Sequence, residues 1–423
     1  MKLGDRIRFF RIQQHKTQEE LSSGIISVSY LSKIENNQSQ PSEEVINLLC
    51  ERLGIQFTEG EEANLLVEIM DWYKLIIGGN GTREEIEDLY KTLKQKVSES
   101  KHSNIVLHFT VFEFRYLIQF VSIEEAGSSL GKILEITDLF TEQLHYYFNK
   151  FKGLYEYVTQ EYQRAYDHYQ KAEHFLSRSV FEKLEEADLY YALGLTSAKL
   201  LKNSLCIKYT TLSLTIYQAL YQYKRCAECQ IMMAISYTNS AELDKAEECL
   251  LLAEKIVDTL SNSKVKDYLS GSIHHNLGYV YSCGKKLDEA IYHYKQSIEY
   301  KVKYNDQKTL SSIHSLLLLF NQKGDTTSAL LWVKKGIEKL QDKDIEFFYH
   351  FKTWEYILNE RTPEFEKFVK KKVIPYFIDT EDHEYVADYC EILATYYEDQ
   401  RKYKQANHYL RMAASELRKA VPF

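Results

Sequence analysis

The side chains best suited to acid–base or metal chemistry in this sequence are His274, His275 and His314, yet none stands in a motif with a Cys or Ser nucleophile and an orienting carboxylate. His274 and His275 are neighbours, and adjacent positions on a helix point in different directions. Of the seven cysteines, only Cys226 and Cys229 lie close together, with no second pair or histidine cluster at ligand spacing, so all are expected to be small core residues. The glycine-rich stretch from Ile77 to Thr82 lacks the Lys-Ser/Thr of a phosphate loop and follows no strand, which makes it a turn. Glu161, Glu185, Glu186, Glu247 and Glu248 are expected on solvated faces. The expectation is a chain without catalytic constellation, metal site or cofactor.

Binding chemistry is more legible. The net charge of -8 speaks against a protein coated in nucleic acid, but the charge is uneven. Residues 1–34 carry Lys2, Arg6, Arg8, Arg11, Lys16 and Lys33 against Asp5, Glu19 and Glu20, so contact with nucleic acid belongs there.

Four short helices must position those groups. Leu3, Ile7 and Phe10 share one face of the first. Thr17-Gln18-Glu19-Glu20 is a capping box that fixes the start of the second, which ends near Gly24. Ser27 caps a third, Val28 to Glu35, with Leu31 and Ile34 inward and Ser29, Tyr30 and Lys33 outward. Pro41-Ser42-Glu43-Glu44 opens a fourth, striped by Val45, Leu48, Leu49 and Leu53. A tight turn between the second and third helices suits a reader whose third helix enters a major groove. The wording TQEELS, then SYLSKIENN, then PS resembles the Cro/C1-type (Xre-like) helix-turn-helix over residues 3 to about 57, one residue shorter between Leu21 and Glu35 than its commonest form. That resemblance implies DNA-binding roles for Gln18, Ser27, Val28, Ser29, Tyr30, Lys33 and Asn36. Gln18 and Asn36 would meet phosphates, Ser29 and Lys33 would read base edges, and Val28 would touch a thymine methyl.

The rest of the chain repeats. With 44% hydrophobic residues, 34 Tyr, 16 Gly and 4 Pro, breakers are too few for a β-rich protein, and the fold class expected is all-α. The segment from Ile273 to Ser297 has Gly278 where two helices approach, a turn at Cys283-Gly284-Lys285-Lys286, and Ala290 in the second helix. The same frame finds Ala126, Ala165, Cys206, Ala246, Ala329 and Ala406, at successive spacings of 39, 41, 40, 44, 39 and 77. The last gap leaves room for a degenerate copy near Phe365 to Phe368. Gly153, Gly194, Ala234 and Ala394 stand 12 residues before four of the markers, as Gly278 does before Ala290. Helix-turn-helix units at this period are tetratricopeptide repeats, expected to stack as a right-handed superhelix with a concave inner face.

The expected division is a DNA-binding domain at 1–60 and, at 61–423, linker helices with the repeat array, hinged between Ile55 and Glu62. The N-terminus, MKLGDRIRFF, has no apolar core of signal-peptide length, and the longest strongly apolar run is far too short to span a bilayer, so a cytoplasmic protein is expected.

A Xre-type reader followed by long repeats resembles the quorum-sensing regulators of the Rap, NprR, PlcR, PrgX and Rgg group, and looks closest to the NprR branch. The resemblance implies a cytoplasmic receptor that takes a short secreted signalling peptide in the concave groove and changes its oligomeric state and DNA binding. The partners it implies are that peptide, a double-stranded DNA operator and a second or further copies of the chain, as homodimer or homotetramer. The alternative is a Rap-like, peptide-regulated inhibitor of a sporulation phosphorelay response regulator, with both activities in one chain left open. An extended peptide needs backbone partners, and an inward Asn offers donor and acceptor together. With Gly278 as the eighth position of its repeat, positions 2, 5, 9, 12 and 13 of each first helix face inward. Arg115, Gln119, Lys150, Lys199, Asn239, His275, Tyr279, His314 and Asn321 then lie in or near the groove, with Asn276 and Asn407 close by.

Overall fold

A computed structural model of the chain describes residues 3–54, 62–78, 81–100, 102–303, 308–359 and 361–420. The hinge expected between Ile55 and Glu62 falls on residues 55–61, outside the described ones, as do Gly79 and Asn80 of the glycine-rich turn. All regular structure among the described residues is helical. The chain divides by its contacts into two compact units, Met1–Gln222 and Tyr223–Phe423.

The first unit begins with α1 (Leu3–Gln13), α2 (Gln18–Ser22), α3 (Val28–Glu35) and α4 (Glu43–Leu53). It continues with α5 (Glu62–Gly78), α6 (Arg83–Glu99), α7 (Ser103–Phe120), α8 (Ile123–Leu134), α9 (Glu142–Val158), α10 (Tyr162–Leu176), α11 (Lys183–Lys199) and α12 (Asn203–Ala219). The predicted caps form: Thr17 and Glu20 exchange side-chain and backbone bonds, and Ser27 accepts from Tyr30; Ser42, in the stretch expected to open α4, accepts from Val45. One apolar core runs from Ile7 in α1 to Tyr209 in α12, with Trp72 and Tyr73 of α5 fully buried in it.

The second unit holds α13 (Tyr223–Asn239), α14 (Leu243–Asp258), α15 (Ser263–Cys283), α16 (Leu287–Val302), α17 (Thr309–Gln322), α18 (Thr326–Glu338) and α19 (Ile345–Asn359). After these come α20 (Pro363–Phe368), α21 (Ile374–Asp379), α22 (His383–Asp399) and α23 (Tyr403–Ala420).

The marker residues Ala126, Ala165, Cys206, Ala246, Ala290 and Ala329 are fully buried, and Ala406 nearly so. The reason for a small residue twelve positions earlier is visible at Gly153, where a Cβ would lie 2.7 Å from the Tyr169 ring. At Gly278 it would lie 2.9 Å from the Tyr294 ring. A bulkier residue would separate the two helices of the hairpin.

The turn between paired helices is also built to one plan. Gln160, Leu201, Ala241, Lys285, Gly324 and Arg401 all have positive φ, each five residues before its marker. The next residue's N–H reaches a carbonyl in the last turn of the first helix, as from Lys286 to Tyr281 at 2.9 Å and from Glu161 to Glu156 at 2.8 Å. This is the Schellman ending of a helix, usually supplied by glycine. Here five of the six positions carry a side chain, and Gly284 is not the left-handed residue of its turn: Lys285 is. Holding a non-glycine residue there costs roughly 1–2 kcal/mol, so the paired helices must outweigh it.

Two places depart from the plan. Val121, five residues before Ala126, keeps a negative φ. In the gap of 77, the degenerate copy is α19 followed by a second helix in two pieces, α20 and α21, joined by a π-helical turn at Val369–Val373. Pro375 has no N–H for the carbonyl four residues back, and the ladder slips by one residue just before it, with Ile374 bonding Val369. Phe365 is buried there, within the stretch where the sequence leaves room for this copy.

Candidate functional site

The reading face of α3 is assembled from below. Leu31, Ile34 and Glu35 turn inward, while Ser27, Val28, Ser29, Lys33 and Asn36 are exposed. Tyr30 differs from its expected outward position: it is half-buried and packs on the core. Ser27 is occupied as the cap of α3, accepting from Tyr30 N–H at 3.3 Å with its hydroxyl 3.3 Å from that of Ser29. Asn36 closes the helix at its other end.

Glu35, only 2 % exposed, is the brace that sequence reading missed. Arg11 of α1 grips it with two nitrogens at 2.7 and 2.9 Å, and the Gln18 amide donates to it at 2.8 Å. Gln18 is therefore tied to α3 rather than standing free, and the charge of Arg11 is committed inside the bundle. Hydrogen-bonded charge pairs of this kind fix geometry more than they add stability. A second missed residue is Gly4, where a Cβ would lie 1.9 Å from the carbonyl oxygen of Ile34. The close approach of α1 to α3 depends on it.

The inner-face residues fare differently. In the first unit, Gln119 and Lys199 are exposed, and Lys199 Nζ lies 5.8 Å from the Tyr162 ring. Arg115 is half-buried. Lys150 is not a groove residue open to a ligand: it is 4 % exposed and bonds to Glu185 at 2.7 Å, Asp188 at 2.8 Å and the Tyr73 hydroxyl at 3.2 Å. Burial works against its charge, but Asp188 and Glu185 outweigh it and hold the ammonium well above its ordinary pKa. Glu185, expected on a solvated face, is thus a buried counter-ion that also accepts from Tyr73 and Tyr146.

In the second unit, Asn239, Tyr279, Asn321 and Asn407 are exposed. Asn407 stands on α23, a second helix rather than a first. The Asn276 amide donates to the Ser272 carbonyl of its own helix at 2.8 Å. His275 has its Nδ1 2.9 Å from the Ser312 hydroxyl, and burial with the nearby Lys301 and Lys308 lowers its pKa to about 3. Cys226 and Cys229 are buried, while Cys283 is exposed, against the expectation that every cysteine is a core residue.

His314 is where residues converge. Its ring stacks on that of His350 at 4.4 Å, and both line a cavity of about 450 Å³ between α17, α19 and α22. Leu318, Trp354 and Ile392 supply apolar wall, and Tyr385, Tyr389, Asp388, Glu391 and Arg361 supply the polar groups. Apart from His314, sequence reading named none of these. The signal was present: counting Ala394 as the eighth position of α22 puts Asp388, Glu391 and Thr395 at inward positions 2, 5 and 9. The degenerate copy gave α19 no frame, so His350 and Trp354 had no position to be read from. Among the described residues, no group of three or more His, Cys, Asp or Glu is placed to hold a metal ion, and no helix is long and apolar enough to cross a membrane.

Comparison with known proteins agrees with this layout. Residues 7–59 match the helix-turn-helix family model. The transcriptional activator NprA of Geobacillus stearothermophilus is 38% identical over 410 residues, covering 95% of this chain and 100% of that protein. Response regulator aspartate phosphatase I of Bacillus subtilis is 24% identical over 83% of this chain and 90% of its own. The apo quorum sensor NprR from B. thuringiensis superposes with a TM-score of 0.75 at 19% identity, over 85% of this chain and 100% of that one. NprR in complex with its cognate peptide NprX gives 0.59 at 19% identity, over 84% and 98%. The fold is that of a helix-turn-helix followed by tetratricopeptide-type repeats, and the chain belongs to the family of the transcriptional activator NprA.

Proposed function

We propose that this chain is a cytoplasmic quorum-sensing receptor and transcriptional activator. It binds a short secreted peptide on the inner faces of its first helices and changes oligomeric state, as homodimer or homotetramer, and operator binding in response. The carrying observation is the exposed face of α3, capped by Ser27 and braced by Arg11, Gln18 and Glu35, in a chain 38% identical to an activator along its entire length. The solved NprR–NprX complex supports a peptide as the effector. A reader at 1–60 and a receptor at 61–423 remain the functional division, although the packing core of the first unit is continuous across that boundary. The chain acts by binding and performs no catalytic step.

A second reading, inhibition of a phosphorelay response regulator, is supported by the response regulator aspartate phosphatase that aligns over 83% of this chain. The test is operator selection from random duplex DNA with the full chain, followed by Ser29→Ala and Lys33→Ala on the selected sequence. Each should cost about 1–3 kcal/mol per lost base contact. Wild-type affinity in both variants would remove α3 from recognition. Light scattering of the same samples with and without pools of synthetic heptapeptides reports the change in assembly.

A further inference from the structure

The cavity between α17, α19 and α22 is chemically one-sided. Asp388 and Glu391 stand exposed at its mouth without a cationic partner among the described residues, and Glu384 of the same helix and Asp382 at its N-cap lie near Asp388. The one cation in the lining, Arg361, is directed to Asp399 at 3.4 Å. Deeper in, His314 and His350 are 8 % and 0 % exposed, and the Nε2 of each lacks a hydrogen-bond partner among the described residues. Glu346 approaches the His350 Nε2 only to 3.6 Å, and the His350 Nδ1 is taken by the Tyr389 hydroxyl. Burial and the adjacent His350 push the pKa of His314 well below the usual imidazole range, so this ring is neutral. One of its two tautomers then presents a lone pair at Nε2.

Buried polar atoms without partners are costly, and two of them share a cavity rimmed by uncompensated carboxylates. An anionic ligand would meet repulsion here, and a purely apolar one would leave both kinds of group unsatisfied. We infer that this cavity is a socket for one organic cation, the ammonium or guanidinium of a basic residue or the free amino terminus of a bound peptide. Its methylenes would lie against Leu318, Trp354 and Ile392, its charge against Asp388 and Glu391, and one of its N–H donors would reach the His314 nitrogen. The inference rests on the peptide-receptor reading and narrows it: the effector must carry a positive group at the point that enters this socket.

The test uses the full chain with carbon-13 at histidine Cε1, titrated with Nα-acetyl-lysine N-methylamide and with the uncharged norleucine counterpart. His314→Gln and His350→Gln identify the two resonances. The lysine compound should shift both to saturation and the norleucine compound neither. Asp388→Asn, and independently Glu391→Gln, should weaken the lysine response tenfold or more with circular dichroism unchanged. No saturable response, an equal response to both compounds, or wild-type affinity in both variants overturns the socket. Heptapeptide pools, acetylated and with or without one Lys or Arg, separate the two readings. Binding without preference for the basic pools leaves the receptor and overturns the socket. A lysine response with no pool bound leaves the socket and overturns the receptor.

Discussion

Around Lys150, in the first unit, charge meets counter-charge: the ammonium lies between Glu185 and Asp188, and Tyr73 and Tyr146 donate to what remains of the Glu185 carboxylate. Around Asp388, in the second, carboxylates stand close together and buried imidazole nitrogens lack hydrogen-bond partners among the described residues. Both clusters sit on first helices, at positions the repeat frame turns inward. The difference lies in what completes them. Tyr73 comes from α5, a linker helix outside the repeats, so the Lys150 cluster is closed by the chain itself and fastens that helix to α9 and α11. The Asp388 cluster has no such helix over it among the described residues, and completion must come from a ligand. An inward polar residue is thus a binding residue only where the fold leaves it incomplete.

The contrast can be broken by removing the Lys150 charge. Lys150→Met leaves the buried Glu185 carboxylate without its ammonium, a change that costs about 3–5 kcal/mol when a buried pair loses one partner. Urea unfolding followed by Trp72 fluorescence should show this loss. A cost under about 1 kcal/mol would mean that the cluster is hydrated and the contrast unfounded. Gly153→Ala comes next, since its Cβ would press on the Tyr169 ring at 2.7–3.0 Å, and overpacking of this kind costs about 1–3 kcal/mol. It tests whether the first unit depends on hairpin packing as well as on the ionic closure.

Much of this architecture could be read from the sequence because it rests on local rules. The caps at Thr17, Ser27 and Ser42, the buried markers and the small residues at Gly153 and Gly278 all follow from side chains within one hairpin. What could not be read depends on partners far apart in sequence. Glu35 reads in the sequence as the end of a helix, and only the fold brings Arg11 and Gln18 onto it. Lys150 and Glu185 looked like groove and surface residues because the helix that covers them, α5, belongs to no repeat. His350 was hidden because the second helix of its hairpin carries no small marker residue near Phe365 to Phe368 to set the frame.

The hairpin turns offer a smaller test. Lys285 holds a left-handed conformation that glycine adopts without penalty, so Lys285→Gly should stabilise the second unit by about 1 kcal/mol, less the extra freedom gained by the unfolded chain. Thermal unfolding measures it. A destabilised variant would show that the Lys285 side chain itself supports the turn.

The smallest effect has the sharpest sign. Partial loss of water at the cavity mouth, then repulsion from Glu391, Glu384 and Asp382, raises the Asp388 pKa to about 6 from an ordinary value of 3.8. A carboxyl with a folded-state pKa above its unfolded one binds more protons when folded. Between those two values the folded state therefore loses stability as pH rises, and the deficit is complete above about 6. Asp388→Asn removes the charge at constant shape, so it should raise the unfolding midpoint of the ligand-free chain at pH 7.5, on the order of 1–2 °C. The gain should shrink through pH 6 and vanish below about pH 3, where the wild-type carboxyl is protonated in both states. Removing a charge at Lys150 destabilises; removing one at Asp388 stabilises, because only the second lacks its counter-charge. A lower midpoint for Asp388→Asn at pH 7.5 would show that the carboxylate is already paired within the chain, and the two clusters would then be of one kind.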